Sequence, residues 1–74
     1  MTDKTEWEKD AANILKAELT RRGMGYEELK HALEKVGVKK STNSINVAIN
    51  RGKFSFAFFL QCAKAIGIQK VQFD

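Results

Sequence analysis

The absence of proline is the feature that most restricts how this 74-residue chain can fold. Alanine, leucine, glutamate and lysine are frequent instead, and these residues lose little side-chain freedom in a helix. Glycines divide the sequence into segments of helical length, in which apolar residues recur every three or four positions. We therefore expect an all-α fold. It would be a compact four-helix bundle made by one domain over residues 1–74, with a core at 5–67 and a short extended tail at 68–74.

The first helix is predicted to begin at the capping box Thr5-x-x-Glu8 and to stop at Gly23. Glu18 lies inside its apolar stripe, so we expect an ion pair with Arg22, one helical turn later. The residues predicted to share one broad side of this helix are Trp7, Ala11, Ile14, Leu15 and Leu19.

The second helix is predicted from about Tyr26 to Val36, with Gly25 as its N-cap and Gly37 as its end. Two glutamates in its first turn suit the positive end of the helix dipole. Its inward residues are predicted to be Leu29, Leu33 and Val36.

The third helix is predicted to begin near Ser41 or Thr42, which are both good caps, and to close before Gly52. Its spacing turns three apolar residues inward, namely Ile45, Ala48 and Ile49. The opposite side then carries Asn43, Asn46, Val47 and Asn50.

The fourth helix is predicted to be capped by Ser55 and to reach Ile66, with Gly67 following it. Phe58 is expected at the margin of the buried side, partly exposed beside Gln61. The lone cysteine excludes an internal disulfide, and its position predicts a core residue rather than a reactive thiol. The predicted inward arc is Phe56, Phe59, Leu60, Cys62, Ala63 and Ile66. The tail alternates apolar and polar residues, which favours a short strand or an extended segment.

Charge is distributed unevenly along the chain. No acidic residue occurs between Glu34 and the terminal Asp74. Such asymmetry is typical of proteins that bind polyanions, although a net charge of +4 also lies within the range that serves solubility. The acids of the first ten residues are Asp3, Glu6, Glu8 and Asp10, and the cations after Glu34 are Lys35, Lys39, Lys40, Arg51, Lys53, Lys64 and Lys70.

The outward side of the third helix has the chemistry to read DNA. Asparagine can donate to and accept from the adenine edge in the major groove, and valine can contact a thymine methyl group. The base-reading candidates are therefore Asn43, Asn46, Val47 and Asn50. The candidates for phosphate contact, at the two ends of the helix, are Lys39, Lys40, Ser41, Thr42, Arg51 and Lys53. The alternative is a solvated polar face that follows a surface loop.

Three segments resemble the repressor-like helix-turn-helix domains of the lambda Cro (XRE) type: "RRGMGYEELKHAL", "INRGK" and "SFAFFLQCAKAIGI". From Leu19 to Gly67 the chain is also similar to a small bacterial family catalogued as a domain of unknown function. The resemblance implies a dimeric transcriptional regulator whose second and third helices form the helix-turn-helix. Two features differ from the repressor pattern. Tyr26 stands where a phosphate-contacting glutamine is usual, and the segment "HALEKVGVKKSTNS" is several residues longer, which lengthens the second helix, the turn or both.

Exposed aromatic residues predict self-association. The candidates for a dimer interface are Trp7, Phe58, Gln61, Val71 and Phe73. In the alternative arrangement the tail folds back within one chain and covers Trp7.

Two functions remain open from the sequence: a DNA-binding protein that acts on double-stranded DNA as a homodimer, or a homodimeric protein-interaction module on the same fold. An enzyme is not expected, because no histidine–acid pair, activated nucleophile or phosphate-binding glycine loop is evident. His31 stands alone, so no metal, cofactor or small-molecule ligand is predicted. Without a long apolar run or a signal-peptide pattern, we expect a cytoplasmic protein that makes no contact with a membrane.

Overall fold

The computed structural model describes residues 4–70, and within that range it is built of four α-helices without a strand. The predicted all-α four-helix fold is therefore confirmed. The helices are α1 (Lys4–Arg21), α2 (Tyr26–Lys35), α3 (Thr42–Arg51) and α4 (Phe56–Ile66). Residues 68–70 continue from α4 in irregular backbone, while the predicted interface residues Val71 and Phe73 lie outside the described residues.

Each helix contributes a pair of buried side chains, spaced one turn apart, to a single core. Helix α2 packs against α3 and α4, and α1 packs against α3. Residues four positions apart lie on the same face of a helix, so each pair forms a short stripe towards the centre. The pairs are Leu15 with Leu19, Leu29 with Leu33, Ile45 with Ile49, and Phe58 with Cys62.

The predicted ion pair of Glu18 is confirmed, and it includes a second arginine. The Glu18 side chain is buried, and its carboxylate accepts from Arg22 Nη1 at 2.6 Å and from Arg21 Nη2 at 2.7 Å. The Arg22 hydrogen bond is the main reason that the pKa of Glu18 is lowered, although burial opposes the effect. Arg22 Nε also donates to the carbonyl of Ile66 at 3.0 Å. One arginine therefore ties the end of α1 to the end of α4.

The beginning of α1 differs from the prediction. The helix already includes Lys4, so Thr5 lies in its first turn and is not the N-cap. Trp7 is 65% exposed, and the buried stripe of α1 begins at Ala12.

The end of α2 corrects the prediction for Val36, which is 45% exposed. The helix closes at Lys35, and Gly37 then turns the chain with a φ of 86°. As a result Val38, whose amide donates to the Leu33 carbonyl, packs against the core in place of Val36.

The predicted inward arc of α4 is correct for Phe59 and Ile66, which pack against the core, but wrong for Phe56 and Leu60. Phe58 is 7% exposed and belongs to the core, whereas Phe56 is 73% exposed and Leu60 is 46% exposed. Nearly every side of this helix is apolar, so the contact with α2 and the neighbouring Phe54 ring, rather than the pattern, sets its orientation. Cys62 is buried as predicted, and burial raises the pKa of its thiol to about 11.

Gly52 connects α3 to α4 at a place where no other residue fits. Its φ of 68° lies in the left-handed region, and a Cβ there would stand 1.9 Å from the backbone oxygen of Glu8. The close approach holds the α3–α4 turn against α1. The glycine of the Arg-Gly-Lys segment is therefore needed for the fold, whatever function the segment also has.

Candidate nucleic-acid interface

Two isoleucines determine which side of α3 faces solvent. Ile45 and Ile49 are fully buried between α1 and α2. Side chains on the opposite side of a ten-residue helix must then point outward. The structure places all four predicted base-reading residues there, and all are exposed: Asn43, Asn46, Val47 and Asn50.

The exposed side of α3 consists of two rows of side chains that run along the helix, each with a spacing of four residues. The inner row, on the side of α2, is Thr42, Asn46 and Asn50. The outer row, on the side of α4, is Asn43, Val47 and Arg51.

The inner row is hydrogen-bonded to the beginning of α2. Thr42 Oγ1 donates to Glu27 Oε1 at 2.7 Å, and Asn50 Nδ2 donates to the Tyr26 hydroxyl at 3.1 Å. Asn50 Nδ2 also donates to the backbone and side-chain oxygens of Asn46. These side chains therefore have partners within the protein, and one partner is an exposed carboxylate.

The outer row borders a groove made of two open hollows. The first, of about 450 Å³, is lined by Asn43, Ser44, Val47, Ala48, Arg51, Lys53 and Phe54. The second, of about 300 Å³, is lined by Lys40, Ala48, Phe54, Ser55, Ala57, Phe58 and Gln61. Ala48 and Phe54 line both hollows, so the two lie next to each other, and we call them together the groove between α3 and α4.

The lining of this groove is cationic. Lys40, Arg51 and Lys53 border it, and neither hollow has an acidic side chain in its lining. Lys53 Nζ lies 4.0 Å from Glu8 Oε2, at the rim towards α1. Arg51 makes no ion pair with the described residues, and the Lys40 ammonium lies 5.6 Å from the centre of the Phe58 ring.

The connection between α2 and α3 supplies part of the extra length of the segment. It covers residues 36–41, whereas a usual helix-turn-helix has a turn of about 3–4 residues. Lys39 and Lys40 lie on this loop and are exposed. Ser41 ends it as the N-cap of α3, and its hydroxyl accepts from the Ser44 amide at 3.0 Å.

The residues predicted to contact phosphate differ in their exposure and in whether they already make hydrogen bonds within the protein. Lys39, Lys40, Arg51 and Lys53 are exposed cations. Thr42 is half-buried, and its hydroxyl is engaged by Glu27. Ser44, which lines the groove, was not predicted as a contact; a helical wheel places it beside the outer row, and that signal could have identified it.

The predicted dimer-interface residues are separated by the structure. Trp7 and Gln61 are exposed, and Phe58 is corrected to a core residue because α4 is rotated from its predicted orientation. The exposed apolar residues of α4 are instead Phe56 and Leu60, one turn apart.

His31 lies between two glutamates on α2. It lies 3.9 Å from Glu27 and 3.6 Å from Glu34, but no group of three or more metal-binding side chains is arranged around an ion position among the described residues. None of the described helices is both long and apolar enough to cross a membrane.

The geometry defines a small all-α protein with a polar, cationic helix face. The sequence matches the family described as Domain of unknown function (DUF6471) over residues 7–71. Because the match spans most of the chain, the protein belongs to this family, and the predicted similarity to a domain of unknown function is confirmed. Comparison with curated proteins and with solved structures gave no match. The repressor-like resemblance stays a prediction.

Proposed function

We propose that this protein binds double-stranded DNA as a small transcriptional regulator, with α3 in the major groove. The observation that carries the proposal is the face of α3. Two buried isoleucines hold the helix, and its outward side combines asparagine, valine and arginine in a region without acids from residue 35 to residue 70. In this proposal α2 and α3 form a helix-turn-helix with a lengthened turn.

The shape and chemistry of α3 suit a major groove. A helix of ten residues is about 15 Å long, and the groove, about 12 Å wide, admits an α-helix. Asparagine can make two hydrogen bonds to adenine, and arginine can do the same to guanine. Base reading by side chains of this kind gives sequence preference rather than general affinity.

The cations around α3 supply the part of the affinity that does not depend on sequence. Lys39 and Lys40 lie on the loop before the helix, and Arg51 and Lys53 lie at its end. Each phosphate that a cation neutralises releases counterions, so the logarithm of the binding constant falls by about 0.9 per contact for each unit of log salt concentration.

Fluorescence anisotropy with labelled duplexes tests the proposal, after selection of bound sequences from a random duplex pool. We expect enrichment of a consensus and an affinity that falls steeply with salt. Lys39→Gln should weaken binding to all duplexes similarly, whereas Lys64→Gln, an exposed change on α4, should leave it unchanged. Failure of micromolar protein to bind any duplex at low salt would exclude this function.

Self-association is a second candidate function, and the exposed apolar side chains of α4 favour it. Phe56 and Leu60 are 73% and 46% exposed, and the Phe56 ring stacks on Phe59 at 6.1 Å. A homodimer through this face would also present two copies of α3, as proteins that read palindromic sites do.

Sedimentation velocity over a range of concentrations tests the dimer. We expect the wild-type protein to dimerise and Leu60→Asp to remain monomeric with an unchanged helical spectrum. A wild-type protein that stays monomeric at every concentration and also on duplex DNA would rule out the dimer. If DNA binding is absent but the dimer forms, the protein-interaction module becomes the better description.

A further inference from the structure

We infer that DNA contacts α3 along its outer row, Asn43, Val47 and Arg51, and that the sugar-phosphate backbone follows the groove between α3 and α4. The inner row then holds α3 against α2 and does not read bases. This inference rests on the proposed function and narrows it, because four exposed residues of α3 are otherwise equivalent candidates.

The first reason is that the inner row is already occupied. The Thr42 hydroxyl donates a hydrogen bond to Glu27. The Asn50 amide donates to Asn46 Oδ1 and to the Tyr26 hydroxyl. Reading a base through Asn50 would require these hydrogen bonds to break. Side chains of the outer row, in contrast, make no hydrogen bond or ion pair within residues 4–70.

The second reason is charge. On the inner side, the Glu27 carboxylate lies 2.7 Å from Thr42, and its side chain is 64% exposed, so it would repel an approaching phosphate. On the outer side the Glu8 side chain is only 22% exposed, and its Oε2 lies 4.0 Å from Lys53 Nζ. The more exposed of these two carboxylates, that of Glu27, therefore lies on the inner side of α3, which we assign away from DNA.

The third reason is shape. Beside the outer row, Lys40 lines one of the two neighbouring hollows, Lys53 lines the other, and Ala48 and Phe54 line both. The groove brings cations from the loop before α3 and from the turn after α3 to one side of the helix. A phosphate backbone laid along it would meet Lys40 in one hollow and Lys53 in the other, while Asn43 and Val47 face the base edges.

Matched asparagine variants test the assignment on the duplex obtained by selection. Asn43 and Asn46 are both exposed on α3, so their replacement by alanine removes the same side chain from the outer row in one variant and from the inner row in the other. We expect Asn43→Ala to weaken binding about tenfold and to relax the preference at one base position. Asn46→Ala should stay within about twofold of wild type, as is usual for a surface change away from a contact.

Salt dependence gives an independent measurement of the backbone path. Arg51→Gln should reduce the slope of log binding constant against log salt by about 0.9, since one phosphate contact is lost. Lys35→Gln, which removes the same charge at the end of α2, should leave the slope unchanged. Circular dichroism of each variant verifies that the helices are intact.

The outcomes separate the inference from the function on which it rests. If wild-type protein binds the duplex but Asn46→Ala weakens binding as much as Asn43→Ala or more, the assignment of the rows is wrong and DNA binding stands. An unchanged slope for Arg51→Gln likewise overturns the backbone path. If wild-type protein binds no duplex, both the function and the inference fail.

Discussion

Helices α3 and α4 have similar lengths and the same kind of cap, yet they divide their surfaces differently. In α3 the apolar residues with large side chains, apart from Val47, are buried, and polar side chains cover the outside. In α4 Phe58 and Cys62 are buried, while Phe56 and Leu60 remain exposed.

The difference separates two ways in which a small domain presents a surface. The large apolar side chains on the inner face of helix α3 are fully buried in the core, so its outer face can carry polar groups. Helix α4 has more apolar surface than a domain of this size can cover. A polar face suits a nucleic acid and an apolar face suits another protein, so the two helices support the two functions proposed above.

The largest effect that we expect separates two phenylalanines of α4 that are two residues apart. Phe58→Ala should lower the free energy of unfolding by about 3–5 kcal/mol, because a buried ring is lost and a cavity remains. Phe56→Ala should change it by about 0.5 kcal/mol or less, as is usual at an exposed site. Urea denaturation measures both. Equal losses would show that α4 is oriented differently from the structure.

The C-terminal glycines of the two helices provide the next comparison. Gly67→Ala should cost about 1–2 kcal/mol, which is the penalty of a left-handed backbone for alanine, since no atom lies within 4 Å of the new Cβ. Gly52→Ala has the same penalty and in addition the overlap with Glu8, so we expect a total of about 3 kcal/mol.

Thermal unfolding of the two glycine variants, recorded with the wild-type protein, measures this difference. If Gly52→Ala were no more destabilising than Gly67→Ala, the α3–α4 turn would not lie as close to the backbone of α1 as the structure shows.

Much of the fold could be predicted from the sequence because its signals are local. The caps Ser41 and Ser55 and the terminal glycines fixed the helix bounds to within about one residue, apart from the first helix, which is the usual precision of such bounds. The ion pair of Glu18 followed from helical spacing alone. The hydrogen bond from Arg22 to Ile66 joins residues 44 positions apart, and no local pattern reveals it.

The orientation of the two helices was not equally predictable. In α3 a narrow apolar stripe among polar residues leaves one possible inner face, and Ile45 and Ile49 occupy it. In α4 the arc with Phe56 is entirely apolar, whereas the arc with Phe58 includes Gln61, so periodicity favoured the wrong arc. Packing against α2 decides, and that contact is tertiary.

The candidate site shows the same limit. Residue type and spacing placed the asparagines of α3 on the outside, which the structure confirms. That Thr42 and Asn50 bond to Glu27 and Tyr26 depends on how α2 crosses α3, so the two rows could not be distinguished before the structure was known.

A third prediction concerns the buried carboxylate of Glu18, whose partner Arg22 also links the end of α1 to the end of α4. Glu18→Gln should lower the free energy of unfolding at pH 7 by about 2 kcal/mol, because the carboxylate accepts through two oxygens and glutamine has only one, and because the negative charge beside the two arginines is lost. The pKa of Glu18 is lowered in the folded protein, so this contribution is present above the ordinary value of 4.5 and is lost as the pH falls through the folded value.

Urea denaturation of wild type and Glu18→Gln from pH 7 to pH 3 measures the pH dependence. We expect the difference between the two proteins to shrink below pH 4.5, as the wild-type carboxylate takes up a proton. A difference that stays constant over this range would mean that the charge of Glu18 does not stabilise the fold.

The smallest effect that we expect concerns the serine caps, which are the feature that α3 and α4 share. Ser41 Oγ accepts from the Ser44 amide, and Ser55 Oγ accepts from the Phe58 amide, both at 3.0 Å. Replacing either serine by alanine should lower the free energy of unfolding by about 1 kcal/mol. The two hydrogen bonds have the same length, so we expect equal losses in urea denaturation. Equal losses would mean that α3 and α4 differ in the side chains that they expose and not in the strength of their N-caps. A clearly larger loss for Ser55→Ala would instead mean that the cap of α4 helps to keep Phe58 in the core.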